Sequence, residues 1–406
     1  MTNLERTRPG IEVLIQAGPP PRSQRLGLLT NQSTIMPDGR SVWRALLEAE
    51  FPLARLFGPE HGFAAQAQDT VEIDDSILQG LNVVSLYGER RRPDPEHLQD
   101  LDAVIIDIQE IGCRYYTYLY TAAALIEECE ILGIPALICD RPNPIGADIV
   151  EGGALPHGTE SEVGGYGLAP RHGLTLGEYA QYLRTDFARS YTPYRSTARR
   201  RPTPSPKTTI FWMEHYRREM LFSGTALPWK PPSPNLPGPD TALVYPGTCL
   251  FEGTNISEGR GTTRPFEIVG APWLEAEKLR DTLSSMELPG VIFSTAAFVP
   301  TFSAFAGEAC RGVQLHVTDP ASYNALRTGV EMLHTIRAQN PNTFSWRPLW
   351  EDPTRSFIDH LAGGSAFRDA IDRGCSSEDA YRLLCRNTEE YARAREESLH
   401  YPGAAI

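Results

Sequence analysis

The sequence lacks the signatures of several familiar enzyme classes, and each absence narrows the reading. No CxxC pair occurs among the seven cysteines (Cys113, Cys129, Cys139, Cys249, Cys310, Cys375 and Cys385), which excludes a zinc ribbon and a dithiol redox motif. Their odd number and wide scatter point to buried, reduced thiols and a reducing compartment. There is no GxSxG elbow, which removes the ordinary α/β-hydrolase. Neither GxxxxGK[ST] nor GxGxxG occurs, so a P-loop and a dinucleotide site have no support. HExxH is missing and the nine histidines do not cluster at ligand spacing, so no metal and no cofactor are expected. Long apolar runs are absent too. The longest apolar helix candidate, Tyr118 to Ile126, runs straight into Glu127 and Glu128, so nothing reads as a membrane span. The stretch from Met1 to Arg25 is charged throughout and does not read as a secretory signal. Cations are in the minority, 38 Lys and Arg against 51 Asp and Glu, for a net charge of -13. That argues against a nucleic-acid partner, although a local arginine cluster can still recognise an anion. No feature of the sequence reports an oligomeric state.

What is present is enough chain for two domains, 406 residues, with 34 prolines and 34 glycines that call for many ordered loops. Short apolar runs at Arg25–Thr30, Leu53–Phe57, Asn82–Leu86, Ala103–Ile108 and Ile134–Cys139 read as strands. Helix-like segments at Val42–Glu50 and Tyr116–Leu132 lie between them. Strand–helix alternation of this kind implies a parallel sheet covered on both faces. The middle is loop-rich: Thr192–Lys207 and the proline-dense Pro228–Pro239 read as linkers or as ordered walls of a site. From Trp273 the order becomes helix (Glu275–Met286), strand (Val291–Ala297), strand (Val313–Thr318) and helix (Ala321–Gln339), an α+β pattern. The expected division is therefore an α/β domain over residues 1–272 and a smaller α+β domain over 273–406.

Each strand of the first part ends on polar residues. Asn31 and Gln32 follow the first, Glu60 and His61 the second, Gln109 and Glu110 the fourth, and Asp140, Arg141 and Asn143 the fifth. Ligands of open α/β sheets bind at the carboxyl ends of the strands, so these residues outline a polar site. With metal and cofactor chemistry unsupported, carboxylate acid–base chemistry remains. Glu60 in LFGPEHGF is the candidate acid, because proline and two glycines around an acid–histidine pair make a rigid turn. Apolar flanks (Leu56, Phe57 and Phe63) would favour the neutral carboxyl that general acid work needs. A second carboxylate could be Asp107, Glu110, Glu160, Glu162, Glu252 or Glu258, which the residues alone do not rank. The tyrosines Tyr115, Tyr116, Tyr118 and Tyr120 read as core rather than as stacking platforms.

Several long strings then carry a resemblance: LFGPEHGF at Leu56, SLYG at Ser85, DIQEIGCRYYTYLYT at Asp107, DRPNPIG at Asp140 and PRHGLTLGE at Pro170. The run from Pro231 to Trp273, which contains NISEGRGTTR, and GVQLHVTD at Gly312 complete the set. On these the chain resembles the exo-β-N-acetylmuramidases, the NamZ family, from roughly Gly27 to His316. It departs at RYYTY, where the family often has a phenylalanine. The resemblance implies a Rossmann-like domain joined to a smaller one, with the active site in the cleft between them. It also implies release of N-acetylmuramic acid from the non-reducing end of peptidoglycan fragments such as MurNAc-GlcNAc, with Glu60 as the catalytic residue. The candidates so assembled are Glu60, His61 and Glu258 for catalysis. Asn31, Asp107, Gln109, Arg114, Asn143, Arg171, His172, Asn255 and Arg260 are expected to bind substrate, the arginines, with Arg141 and Arg264, as clamps for the lactyl carboxylate. Many relatives carry export signals that Met1 to Arg25 do not show, so a cytoplasmic recycling role is expected. An exo-glycosidase for a related amino sugar and a non-catalytic muropeptide-binding protein remain as alternatives.

Overall fold

The computed structural model describes residues 6–66, 74–88, 90–191, 207–350 and 352–403. In chain order the first elements are α1 (Gly10–Ala17), β1 (Leu26–Leu29), α2 (Val42–Glu48), β2 (Leu53–Gly58), β3 (Ser76–Leu78) and β4 (Leu81–Ser85). They continue as β5 (Ala103–Ile106), α3 (Tyr118–Leu132), β6 (Ala136–Cys139), α4 (Leu176–Tyr182), α5 (Asp186–Arg189) and β7 (Thr209–Phe211). These strands form one sheet in the order β3-β4-β2-β1-β5-β6-β7, in which only the β3–β4 pair is antiparallel. Taken alone, the parallel strands run third, second, first, fourth, fifth, sixth, the Rossmann order, and it reverses between β1 and β5.

The apolar runs read as strands because alternate side chains enter two different cores. Leu29, Phe57, Val104 and Ile106 pack on one face, and Leu28, Leu56, Ile105 and Cys139 on the other. Leu56 and Phe57 therefore point to opposite sides of the sheet, and the expectation that both flank the Glu60 carboxyl does not hold. All seven cysteines are free, five of them buried. Among the described residues no helix is long and apolar enough to cross a membrane.

The second unit comprises α6 (Pro239–Thr248), β8 (Ile268–Ala271), α7 (Ala276–Ser285), β9 (Val291–Phe298), β10 (Cys310–Val317) and α8 (Ala325–Gln339). Its sheet is antiparallel in the order β8-β10-β9. Because β8 pairs with β10, the strand that ends at Ala271 belongs to the second sheet. Helix α6 packs against α8, so the division falls ahead of α6 rather than at residue 272. That crossing depends on two glycines: a Cβ on Gly247 would lie 1.9 Å from the Ala325 carbonyl oxygen, and one on Gly329 2.3 Å from that of Gly247. The helix was hidden in the sequence by Pro246, which lies inside it.

Four short helices follow: α9 (Phe357–Ala362), α10 (Ala366–Asp372), α11 (Ser377–Leu384) and α12 (Thr388–Glu396). The end of the chain returns to the first domain, where the Tyr391 hydroxyl donates to the His172 carbonyl (2.6 Å) and the Tyr401 hydroxyl to Asp140 Oδ2 (2.5 Å). Residues 273–406 are thus not a self-contained block. Of the loop-rich middle, residues 192–206 lie outside the described residues. The segment Pro228–Pro239 is a wall: the Pro232 carbonyl oxygen lies 2.5 Å from the Tyr118 hydroxyl and 3.4 Å from Asn31 Nδ2, over the ends of the strands.

Candidate active site

Glu60 follows β2 by two residues, in a turn closed from Gly62 N–H to the Pro59 carbonyl (3.0 Å). The chain reverses there through two consecutive left-handed residues, His61 (φ 66°) and Gly62 (φ 75°). For His61 that conformation costs about 1–2 kcal/mol. Phe63 then accepts from Gln32 N–H (2.8 Å) and packs into the smaller core, fixing the far side of the turn. The Glu60 side chain is half-buried. Its Oε2 accepts from the Thr117 hydroxyl at 2.5 Å, and its main-chain carbonyl lies 3.2 Å from the Tyr118 hydroxyl. Oε1 makes no hydrogen bond among the described residues. One oxygen is held, the other is available.

Thr117 and Tyr118 are the residues that sequence reasoning missed as site components. Thr117 occupies the N-cap position of α3, yet its side chain makes no capping bond, because the hydroxyl is directed at Glu60. A threonine ahead of a helix reads as a cap, so nothing in the pattern marks this use. Asn31, at the end of β1, supports the same point one layer back. Its amide donates to the Tyr118 hydroxyl (2.9 Å), while its Oδ1 accepts from Ser33 N–H (3.0 Å) and from the Ser33 hydroxyl (2.6 Å).

A second cluster of charge sits in the NISEGRG string. Arg260 Nη1 lies 3.0 Å from Glu252 Oε1 and 3.0 Å from Glu258 Oε1, and Glu258 is almost fully buried. The Arg260 guanidinium also covers the Phe266 ring at 4.9 Å. Neighbouring rings connect this cluster with the Glu60 turn: Phe266 to Tyr245 (4.6 Å between centroids), Tyr245 to Tyr116 (6.5 Å) and Tyr116 to Tyr118 (4.6 Å). Tyr116 and Tyr118 belong to the first domain, Tyr245 and Phe266 to the second. The aromatic path therefore ties Glu60 to the carboxylates Glu252 and Glu258 across the two domains. Burial pushes the Tyr245, Tyr116 and Tyr118 hydroxyls well above the ordinary phenol range, so all three stay neutral. Tyr116 and Tyr118 are core, as the sequence indicated, and Tyr245 is buried with them.

The other candidates are used inside the protein. Asp107 makes a buried two-pronged pair with Arg141 (2.6 and 2.9 Å). Gln109 spends its amide on the carbonyls of Glu110 (2.8 Å) and Pro142 (2.9 Å). Arg114 donates to the carbonyls of Leu168 (3.2 Å) and Leu361, and Arg171 to Glu151 (2.7 Å) and the Ile145 carbonyl. Both arginines are buried, and their guanidiniums join segments distant in sequence rather than facing a ligand. Asn143 closes its own turn through Ile145 N–H (3.2 Å) and donates to the Leu174 carbonyl (3.0 Å). His172 is fully buried, with Nδ1 accepting from Leu174 N–H (3.2 Å) and Nε2 3.2 Å from Glu110 Oε2. Asn255 bridges backbone, donating to the Thr343 carbonyl (2.8 Å) and accepting from Ser345 N–H (2.9 Å). The expected arginine clamp for a lactyl carboxylate is corrected accordingly. Arg114, Arg141 and Arg171 are internal struts, and Arg264, more than half exposed, pairs with Glu267 (3.0 Å).

Sequence models of the exo-β-N-acetylmuramidase NamZ family match the chain twice, the N-terminal model over residues 26–240 and the C-terminal model over residues 243–401. The gap between them coincides with the start of α6. The chain is 39% identical, over 94% of its length and 87% of the relative's, to the peptidoglycan β-N-acetylmuramidase NamZ of Bacillus subtilis (strain 168). Among solved structures it is similar to two DUF1343 family proteins of Bacteroides fragilis. One has a TM-score of 0.82 and 29% identity, the other 0.73 and 25%, and each alignment covers 98% of this chain and 99% of the neighbour. The chain belongs to the exo-β-N-acetylmuramidase NamZ family and is a glycoside hydrolase.

Proposed function

We propose that the enzyme removes single N-acetylmuramic acid residues from the non-reducing end of small peptidoglycan fragments such as MurNAc-GlcNAc, with Glu60 as the general acid. The observation that carries this reading is the Glu60 carboxyl itself. It sits at the end of a sheet strand, held at one oxygen by Thr117 and through its backbone by Tyr118, with the other oxygen unpartnered among the described residues. A carboxyl held in that way can place its proton on a bridging oxygen as the glycosidic bond breaks. His61 contributes through the left-handed turn that aims Glu60.

Positive charge builds on the sugar ring as the bond lengthens, and a second carboxylate is the group that stabilises it. Our choice is Glu258, which Arg260 holds in place at 3.0 Å and which the aromatic path connects with the Glu60 turn. We place the enzyme in the cytoplasm, acting on imported fragments, from the seven unpaired cysteines. A muropeptide-binding protein without catalysis would have no use for an acid fixed in this manner. The test is Glu60→Gln, which keeps the shape of the side chain and removes its proton. Turnover of MurNAc-GlcNAc is expected to fall by roughly two to four orders of magnitude, the usual contribution of acid–base catalysis. Native-like turnover in the variant would remove Glu60 from the mechanism.

A further inference from the structure

Thr117, Thr175 and Thr185 each stand directly ahead of a helix of the first domain. Thr175, ahead of α4, and Thr185, ahead of α5, use their hydroxyls as caps, accepting from Glu178 N–H (3.3 Å) and Ala188 N–H (3.2 Å). Thr117, ahead of α3, makes no such bond, although the open donors of a first helical turn favour a capping oxygen there. Its hydroxyl donates to Glu60 Oε2 at 2.5 Å instead. Both side chains of this pair are half-buried, while His61, Tyr116 and Tyr118 beside them are buried. The pair is therefore what the turn and the helix start leave accessible.

A hydroxyl has one proton to give. Among the described residues Glu60 is the only acceptor of the Thr117 hydroxyl, so the proton of the neutral acid belongs on Oε1, the oxygen without a partner there. As that proton moves to the bridging oxygen, the bond from the anomeric carbon to this oxygen breaks and its electron pair stays with the oxygen. Glu60 is left as a carboxylate. A hydroxyl donates more strongly to a carboxylate than to a neutral carboxyl. The positive end of α3, a helix of fifteen residues that starts directly after Thr117, favours the same charge. Both contributions grow while the glycosidic bond breaks, and interactions that grow in this way lower the barrier without tightening the ground state.

We propose that Thr117 is a positioning residue of the acid, confining the transferable proton to Glu60 Oε1 and stabilising the carboxylate that the transfer leaves behind. This rests on the reading of Glu60 as general acid. It has a consequence that a merely structural tie lacks. The contribution of Thr117 scales with how much the departing group needs a proton, so it is large for a sugar alkoxide and vanishes for a phenolate that leaves unaided.

The test compares two substrates that share the sugar and differ in the group released, MurNAc-GlcNAc and dinitrophenyl β-N-acetylmuraminide. The value of kcat/KM is measured on both for native enzyme, Thr117→Val and Thr117→Ser. Valine keeps the branched shape and removes the hydroxyl, and serine keeps the hydroxyl. Thr117→Val is expected to lose about ten-fold or more on the disaccharide and less than about two-fold on the aryl substrate. Thr117→Ser is expected to stay within about three-fold of native on both. The ratio of the two values comes from one sample and does not depend on how much of a variant folds. An equal loss on both substrates, a native ratio in Thr117→Val, or a Thr117→Ser as impaired as Thr117→Val would overturn the proposal. Glu60→Gln is measured alongside. Native-like cleavage of the disaccharide by that variant removes the acid itself, and the role of Thr117 with it. Loss of cleavage in Glu60→Gln with a native ratio in Thr117→Val removes the role of Thr117 alone.

Discussion

Asp140 offers a test of how the first domain is held together. It follows β6, is fully buried, and accepts four hydrogen bonds: Oδ1 from the N–H groups of Arg141 (2.9 Å) and Gly177 (2.7 Å), Oδ2 from the hydroxyls of Thr175 (2.9 Å) and Tyr401 (2.5 Å). Burial nevertheless outweighs these bonds and pushes its carboxyl up from 3.8 to about 7. The unfolded chain ionises this group above about pH 4, whereas the folded protein keeps its proton to about pH 7. In that window the native state binds more protons, so stability falls as pH rises, and the loss is complete above pH 7. About three units at about 1.4 kcal/mol each amount to roughly 4 kcal/mol. Between pH 5 and 8 the part still to be lost is roughly 3 kcal/mol.

Asp140→Asn should remove that dependence, whatever constant cost it carries. The amide oxygen can keep both N–H donors, while the new NH₂ faces two hydroxyls that already accept from Met213 N–H and Glu178 N–H. That cost is the same at every pH and leaves the pH dependence as the readout. Urea unfolding of both proteins at pH 5 and pH 8 measures the difference directly. The variant is expected to gain roughly 3 kcal/mol on the native protein on going from pH 5 to pH 8. A native-to-variant difference that is the same at both pH values would refute the reasoning and mean that the four donors hold the carboxylate ionised.

Arg260→Ala should lower turnover on chromogenic muraminide by about ten-fold or more, because its guanidinium holds Glu252 and Glu258. The muraminide-to-glucosaminide ratio should stay unchanged, and a reduced ratio in the variant would restore a substrate clamp to Arg260. Gly247→Ala should destabilise the α6–α8 crossing by about 1–3 kcal/mol or more, as read from the urea midpoint. Gly403→Ala, where a Cβ meets nothing within 4 Å and the backbone is not left-handed, serves as the neutral control.

The first domain was legible because a parallel strand buried on both faces must be apolar at successive residues. β1 and β5 are buried at every position. The elements that escaped were those whose partners decide them. β3 and β7 are three-residue edge strands with exposed or half-buried side chains, and β8 is defined by its pairing with β10. The turn that carries Glu60 was legible because proline and glycine announce it. Thr117 was not, since only the folded chain brings it within 2.5 Å of a residue 57 positions earlier.

The arginines misled for a physical reason that also explains the loops. Proline has no N–H, so a chain with 34 prolines in loop-rich walls carries more backbone acceptors than donors. Buried carbonyls must still be paired, and arginine is the side chain that brings five donors and no acceptor. Arg114 serves the carbonyls of Leu168 and Leu361, and Arg171 that of Ile145. Arg218 and Arg395 both donate to the carbonyls of Ala147 and Gly173. Cations in polar, proline-rich strings therefore report a shortage of donors at least as readily as an anionic ligand. The distinguishing mark is an arginine that keeps donors to spare after the backbone is satisfied. Arg355 fits that description: it is exposed, and among the described residues its side chain makes one hydrogen bond, to His360.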